Sequence, residues 1–86
     1  MQAIINTEIT TGWTDIEIDK TRVSGKYAFW TRGGAAFRVK KKGEATFLTM
    51  AEGKGLSIDN VSCIEGVLFQ AQTVAGTDTI EVVITG

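Results

Sequence analysis

KYAFWTRGGAAFRVKKKGEATFLTM, residues 26–50, holds two glycine turns between runs in which apolar and polar side chains alternate. Alternation with period two marks strands that keep one face on a core. Gly33-Gly34 predicts a two-residue hairpin, because both central positions of a type I′ turn need φ > 0. With Arg32 paired to Ala35, Trp30 lies opposite Phe37, Ala28 opposite Val39, Phe29 opposite Arg38 and Tyr27 opposite Lys40. Lys42-Gly43 offers a second such turn, which sets Val39 against Thr46, Phe37 against Leu48 and Ala35 against Met50, and brings Phe47 beside Arg38. The predicted inner face is Ala28, Trp30, Phe37, Val39, Leu48 and Met50. The predicted outer face is Tyr27, Phe29, Arg38, Lys40 and Phe47, aromatic and basic together, with Arg38 placed for cation–π contacts of about 0.5–1 kcal/mol each.

Outward from this meander the same pattern continues. Candidate strands are residues 3–9, 13–19, 26–32, 35–41, 44–50, 56–60, 64–73 and 79–85, separated by turn sequences such as Thr11-Gly12, Gly53-Lys54-Gly55 and Ala75-Gly76-Thr77-Asp78. Proline is absent and no window has helical spacing. About eight short strands in one domain spanning residues 1–86 predict an all-β fold, a jelly-roll-like antiparallel sandwich or a small barrel. The strands of residues 64–73 and 79–85 are expected to form the layer opposite the meander, with the last strand leaving an edge open for pairing. A domain this small buries only about 60–65% of its unfolded surface, so association would help it.

Composition narrows the chemistry. The chain has no histidine, which removes Ser-His-Asp triads, Cys-His pairs and histidine-ligated metals. Cys63 is the single cysteine and sits among apolar neighbours, as a buried structural thiol does. Asp15, Glu17 and Asp19 alternate with Ile16 and Ile18, so one strand directs three carboxylates to one face. Their spacing of about 6.6–6.8 Å is too wide for one ion to bind all three, so the strip is read as a solvated or contact-making face with no metal. No cofactor or enzymatic activity is implied, and no stretch approaches the about 20 apolar residues of a membrane span. All nine basic residues lie between Lys20 and Lys54, whereas eight of the ten acidic ones lie outside that window. Such segregation favours contact with a charged partner or with another copy, unless the two segments neutralise each other within one fold.

The small size, the absence of proline and histidine, the turn glycines, and the order GLSIDNV (55–61) followed by IEGVLFQA (64–71) resemble the small all-β virion proteins of tailed bacteriophages, of the capsid decoration, cement or head-fibre base type. The resemblance implies a non-enzymatic structural role in an assembled particle, with copies of itself or a capsid protein as partners and the virion, otherwise the cytoplasm, as its location. On that reading Tyr27, Phe29, Arg38, Lys40 and Phe47 form an interface and Asp15, Glu17 and Asp19 an acidic contact strip. One alternative is a barrel that binds single-stranded nucleic acid on the same aromatic-basic face. A second is a carbohydrate-binding or adhesin domain that stacks sugars on Trp13 or Trp30.

Overall fold

A strand that alternates apolar and polar side chains covers one side of a core, so eight such strands need two sheets to enclose it. The computed structural model describes residues 2–18, 25–61 and 66–85. Within them the strands are β1 (Gln2–Ile9), β2 (Thr14–Ile18), β3 (Gly25–Thr31), β4 (Phe37–Lys41), β5 (Leu48–Met50), β6 (Leu56–Val61), β7 (Gly66–Thr73) and β8 (Asp78–Thr85). Two antiparallel four-stranded sheets result, in the orders β1-β8-β3-β6 and β2-β7-β4-β5. This is the jelly-roll order, and the fold class agrees with the sequence expectation. Cys63 and Asp19 lie outside the described residues.

The order has a simple origin. β1 pairs with β8, β2 with β7, β3 with β6 and β4 with β5, so the chain is one long hairpin folded onto itself. Ile9 faces Asp78 in the outermost pair and Val39 faces Leu48 in the innermost, both placed symmetrically about the Gly43–Glu44 peptide. Winding the hairpin adds the β3–β8 and β4–β7 ladders. β8 is thereby interior, with β1 on one side and β3 on the other, and β7 belongs to the other sheet. The expectations that β7 and β8 share a layer and that the last strand is a free edge are both corrected.

Gly33-Gly34 does not close a hairpin. β3 and β4 lie in different sheets, and Arg32 to Ala36 carry the chain from one sheet to the other. The two glycines are needed for separate reasons. Gly34 has φ of 82°, the left-handed region that favours glycine. Gly33 admits a carboxylate, since a Cβ there would stand 2.8 Å from Asp78 Oδ2. Asp78 Oδ1 accepts hydrogen bonds from the Gly33 amide (3.0 Å) and the Thr79 amide (2.7 Å), and Oδ2 accepts one from the Ala35 amide (3.2 Å). The Arg32 amide donates to the Thr79 carbonyl at 2.8 Å, fastening the same corner.

This crossing decides which side chains are buried. A two-residue hairpin would put odd-numbered residues of β3 on the face of even-numbered residues of β4. After the crossing, both strands turn their odd-numbered residues inward. Tyr27 and Phe29, expected on the outer face, are therefore core residues at 1% and 0% exposure, while Trp30, expected inside, points outward. Phe37 and Val39 are buried as expected. Around the second turn the loop is longer than two residues, so Val39 pairs with Leu48 and Phe37 with Met50. That register slips by two from the expected one, which leaves every residue on its predicted side of the strand. Leu48 nevertheless stays half exposed, because β5 is a three-residue edge strand with its flank open.

Ile9, Ile16, Tyr27, Phe29, Phe37, Val39, Phe69, Ala71, Ile80, Val82 and Ile84 form the core. Its centre is aromatic. Phe29 meets Phe69 edge-on at 5.2 Å between centroids, and Tyr27 lies 5.7 Å from Phe69. Each large side chain contributes about 1.5–3 kcal/mol by leaving water, and such ring pairs add about 0.5–1.5 kcal/mol.

The corner clamp makes a testable stability statement. Burial raises the Asp78 pKa, but three backbone N–H donors and Arg32 outweigh it and hold the carboxyl below its ordinary 3.8. A depressed folded pKa gives stability that is fully present above the unfolded value and is lost as pH falls through the folded one. Asp78→Ala is expected to cost about 1.5–3 kcal/mol at neutral pH in denaturant melts. Asp78→Asn should remove part of the stability loss below pH 3.8, and Gly33→Ala should mimic Asp78→Ala by expelling the carboxylate.

Candidate functional site

On the outer face of the β2-β7-β4-β5 sheet, side chains stand in two rungs set by strand register. Asp15, Gln70 and Lys40 share one, and Gln72, Arg38 and Thr49 share the next. Arg38 NH1 donates to Gln72 Oε1 at 3.0 Å, and Gln72 Nε2 donates to the Thr11 carbonyl at 2.8 Å, which ties the loop before β2 onto the sheet. That loop carries Trp13. Its ring lies 5.7 Å from Phe47, the Lys40 ammonium is 4.8 Å from the Trp13 centroid, and the Arg38 guanidinium carbon is 5.3 Å from the Phe47 centroid. Arg38 Nε is buried without a hydrogen-bond partner among the described residues, and the adjacent Phe47 ring compensates for this only in part.

Of the residues predicted for an aromatic-basic face, Arg38, Lys40 and Phe47 do converge outside the sheet. Tyr27 and Phe29 do not join them. Trp13 takes their place: the expected strand 13–19 set it on the face of Asp15, but did not reveal that this strand lies next to β7 and so close to β4. Asp15 of the acidic strip accepts from Gln70 Nε2 (2.7 Å) and from Lys42 Nζ (3.2 Å). These two donors, the Gln70 amide foremost, keep its pKa below 3.8. Ile16 is buried as expected, and Glu17 falls in β2 next to the Ile16/Glu17 register shift.

Part of the charge segregation of the sequence closes within the fold. Lys26 meets Asp59, Arg32 meets Glu81 and Lys42 meets Asp15, each pair joining a base of the central window to an acid outside it. Trp30 Nε1 donates to the same Glu81 at 2.7 Å, and Arg32 also donates to Asn6. Among the described residues Lys40 and Lys41 have no carboxylate within 4.0 Å.

Those two lysines border a cleft of about 230 Å³ that opens where the edge strands β5 and β6 leave the sandwich. Its lining is mostly apolar: Val39 and Phe69 from the core, Phe47, Leu48 and Ile58 beside them, with Thr46, Lys40, Lys41 and Glu44. A second, wider groove of about 740 Å³ runs between β1 and β2 along Ile5, Asn6, Thr7, Trp13, Thr14 and Asp15. None of its described lining residues is fully buried, whereas the cleft reaches buried core side chains, so the cleft is the better formed of the two. Among the described residues no three His, Cys, Asp or Glu side chains are grouped to hold a metal ion.

No protein-family model matches the sequence, and no curated protein is significantly similar to it. Solved structures do share the fold. A de novo designed double-stranded β-helix, solved by solution NMR, superposes with a TM-score of 0.58 at 6% identity over 98% of this chain and 96% of its own. A cupin-2 domain protein from Shewanella frigidimarina gives 0.52 at 9% identity over 99% of this chain and 71% of its own. Unsaturated fatty acid-bound ToxT from Vibrio cholerae gives 0.57 at 9% identity over 99% of this chain, which spans only 29% of the ToxT length. The fold is thus that of double-stranded β-helix and cupin proteins.

This likeness overturns the expected function. The expected virion assembly module gives way to a fold shared with cupin-domain proteins. Its structural supports fall as well: Tyr27 and Phe29 are core, β8 is interior, and opposite charges pair within one chain.

The two faces can be checked directly. Phe47→Ala is expected to lower stability by about 1 kcal/mol or less, because it removes exposed ring and cation contacts. Phe29→Ala should cost about 3–5 kcal/mol as a core truncation, in thermal or denaturant melts.

Proposed function

We propose that this chain is a small-molecule-binding domain that takes an amphipathic anion, its apolar body in the cleft between β5 and β6 and its carboxylate or similar head at Lys40 and Lys41. The observation that carries this reading is the pairing of an apolar lining down to Val39 and Phe69 with two rim lysines that lack a carboxylate partner among the described residues. Glu44 is the one acid among the described lining residues, against two lysines. A volume of about 230 Å³ holds about eight water-sized groups at about 30 Å³ each, short of the about 300–1,000 Å³ of sites for drug-sized ligands. That favours a ligand no larger than a medium-chain acid. ToxT, 29% of which shares this fold, was solved with an unsaturated fatty acid bound, a ligand of the same chemical class. The role proposed is binding, not catalysis.

Octanoate, octanol and octylammonium separate the contributions. Octanoate is expected to bind saturably, with Trp13 emission as a reporter through its contacts with Lys40 and Phe47. Octanol should bind more weakly and octylammonium weakest. Lys41→Glu should weaken octanoate about tenfold, the equivalent of about 1.4 kcal/mol, and leave octanol unchanged. Leu48→Asp should abolish both. Equal affinity for octanoate and octylammonium, or no saturable binding by calorimetry, rejects the assignment.

A further inference from the structure

Four strands stand at sheet edges: β1 and β6 in one sheet, β2 and β5 in the other. An unpaired edge is a template for another strand, and proteins usually blunt it by brevity, bulges or charge. β5 has three residues, β2 shifts register between Ile16 and Glu17, and the β3–β6 ladder shifts between Gly25 and Tyr27. β1 has none of these devices. It runs eight residues in unbroken register with β8, contains no Lys, Arg or Pro, and carries a single charge, Glu8. Ile4 on its outer side is 61% exposed, more than any other large hydrophobic side chain among the described residues. The wide groove beside Ile5, Asn6 and Thr7 leaves this edge uncovered by β2.

We propose that β1 pairs antiparallel with β1 of a second copy about a two-fold axis, joining two four-stranded sheets into one. This inference is independent of the ligand reading. Side-chain parity fixes the register. Ile4, Asn6 and Glu8 face out, whereas Ile5, Thr7 and Ile9 face in, and residues directly opposite in an antiparallel ladder share a face. The axis must therefore pass through a residue. At Asn6 it would set Ile4 against the partner's Glu8, and at Ile4 it would shorten the ladder to residues 2–6. At Ile5 it sets Ile4 against the partner's Asn6, Ile5 against the partner's Ile5, and Gln2 against the partner's Glu8, with no like charges opposed.

Sedimentation equilibrium of the unaltered chain at high-micromolar concentration is expected to give twice the 9.3 kDa chain mass. Ile4→Lys should raise the dissociation constant about tenfold or more, the ratio that about 1.4 kcal/mol produces. Adding Asn6→Glu to Ile4→Lys sets opposite charges face to face across the axis and should restore association, which no other register achieves. Should Ile4→Lys fail to fold, amide exchange of the unaltered chain decides: β1 amides directed away from β8 should gain protection as concentration rises. A monomer at every concentration, a dimer indifferent to Ile4→Lys, pairing only with an added foreign strand, or concentration-independent β1 exchange each overturns the proposal.

Discussion

One carboxylate fastens the corner at which this chain passes from one sheet to the other. Asp78 opens β8 and, through the amides of Gly33 and Ala35, holds the segment that carries the chain from one sheet to the other. Were that segment a tight hairpin, β3 and β4 would be neighbours and Trp30 would face the core with Phe37. Because it crosses instead, Phe29 and Tyr27 close on Phe69 from the opposite sheet, and the aromatic centre of the sandwich exists. The outward side of β4 is then left to Arg38 and Lys40, which draw Trp13 and Phe47 over the sheet beside the cleft.

Electrostatics follows from the same winding. A central basic window flanked by acidic ends reads, along the chain, as two poles. Wound as a nested hairpin, the ends lie over the middle, and bases such as Arg32 and Lys42 find acids more than twenty residues away. Exposed pairs of this kind contribute only about 0–1 kcal/mol each, so they matter less for stability than for cancelling the long-range field that segregation suggests. Lys40 and Lys41, at the rim of the cleft, are outside these pairs among the described residues.

All eight strands could be read from alternation and turn glycines, because both signals are local. The inward set of β4, Phe37 and Val39, was legible for the same reason, and the outward triplet Arg38, Lys40 and Phe47 survived a two-residue slip because such a slip keeps parity. Strand partnership was not legible. Gly33-Gly34 carries the composition of a hairpin turn, yet here one glycine serves backbone geometry and the other makes room for a carboxylate forty-five residues away. No local pattern encodes that second requirement. Trp13 joined the site for an equally non-local reason, through the hydrogen bond from Gln72 to its loop.

The nesting of the ladders bears on how the molecule assembles in time. Only β4 and β5 are neighbours in the chain that also pair; the β1–β8 ladder joins residues as distant as Gln2 and Thr85. By average sequence separation such a topology should fold slowly. Concentric pairing softens the penalty, since each closed ladder shortens the free loop that the next must close, and loop entropy depends on that remaining length. The fold can therefore zip outward from Gly43, with the seam between the first and last strands sealing last and opening first.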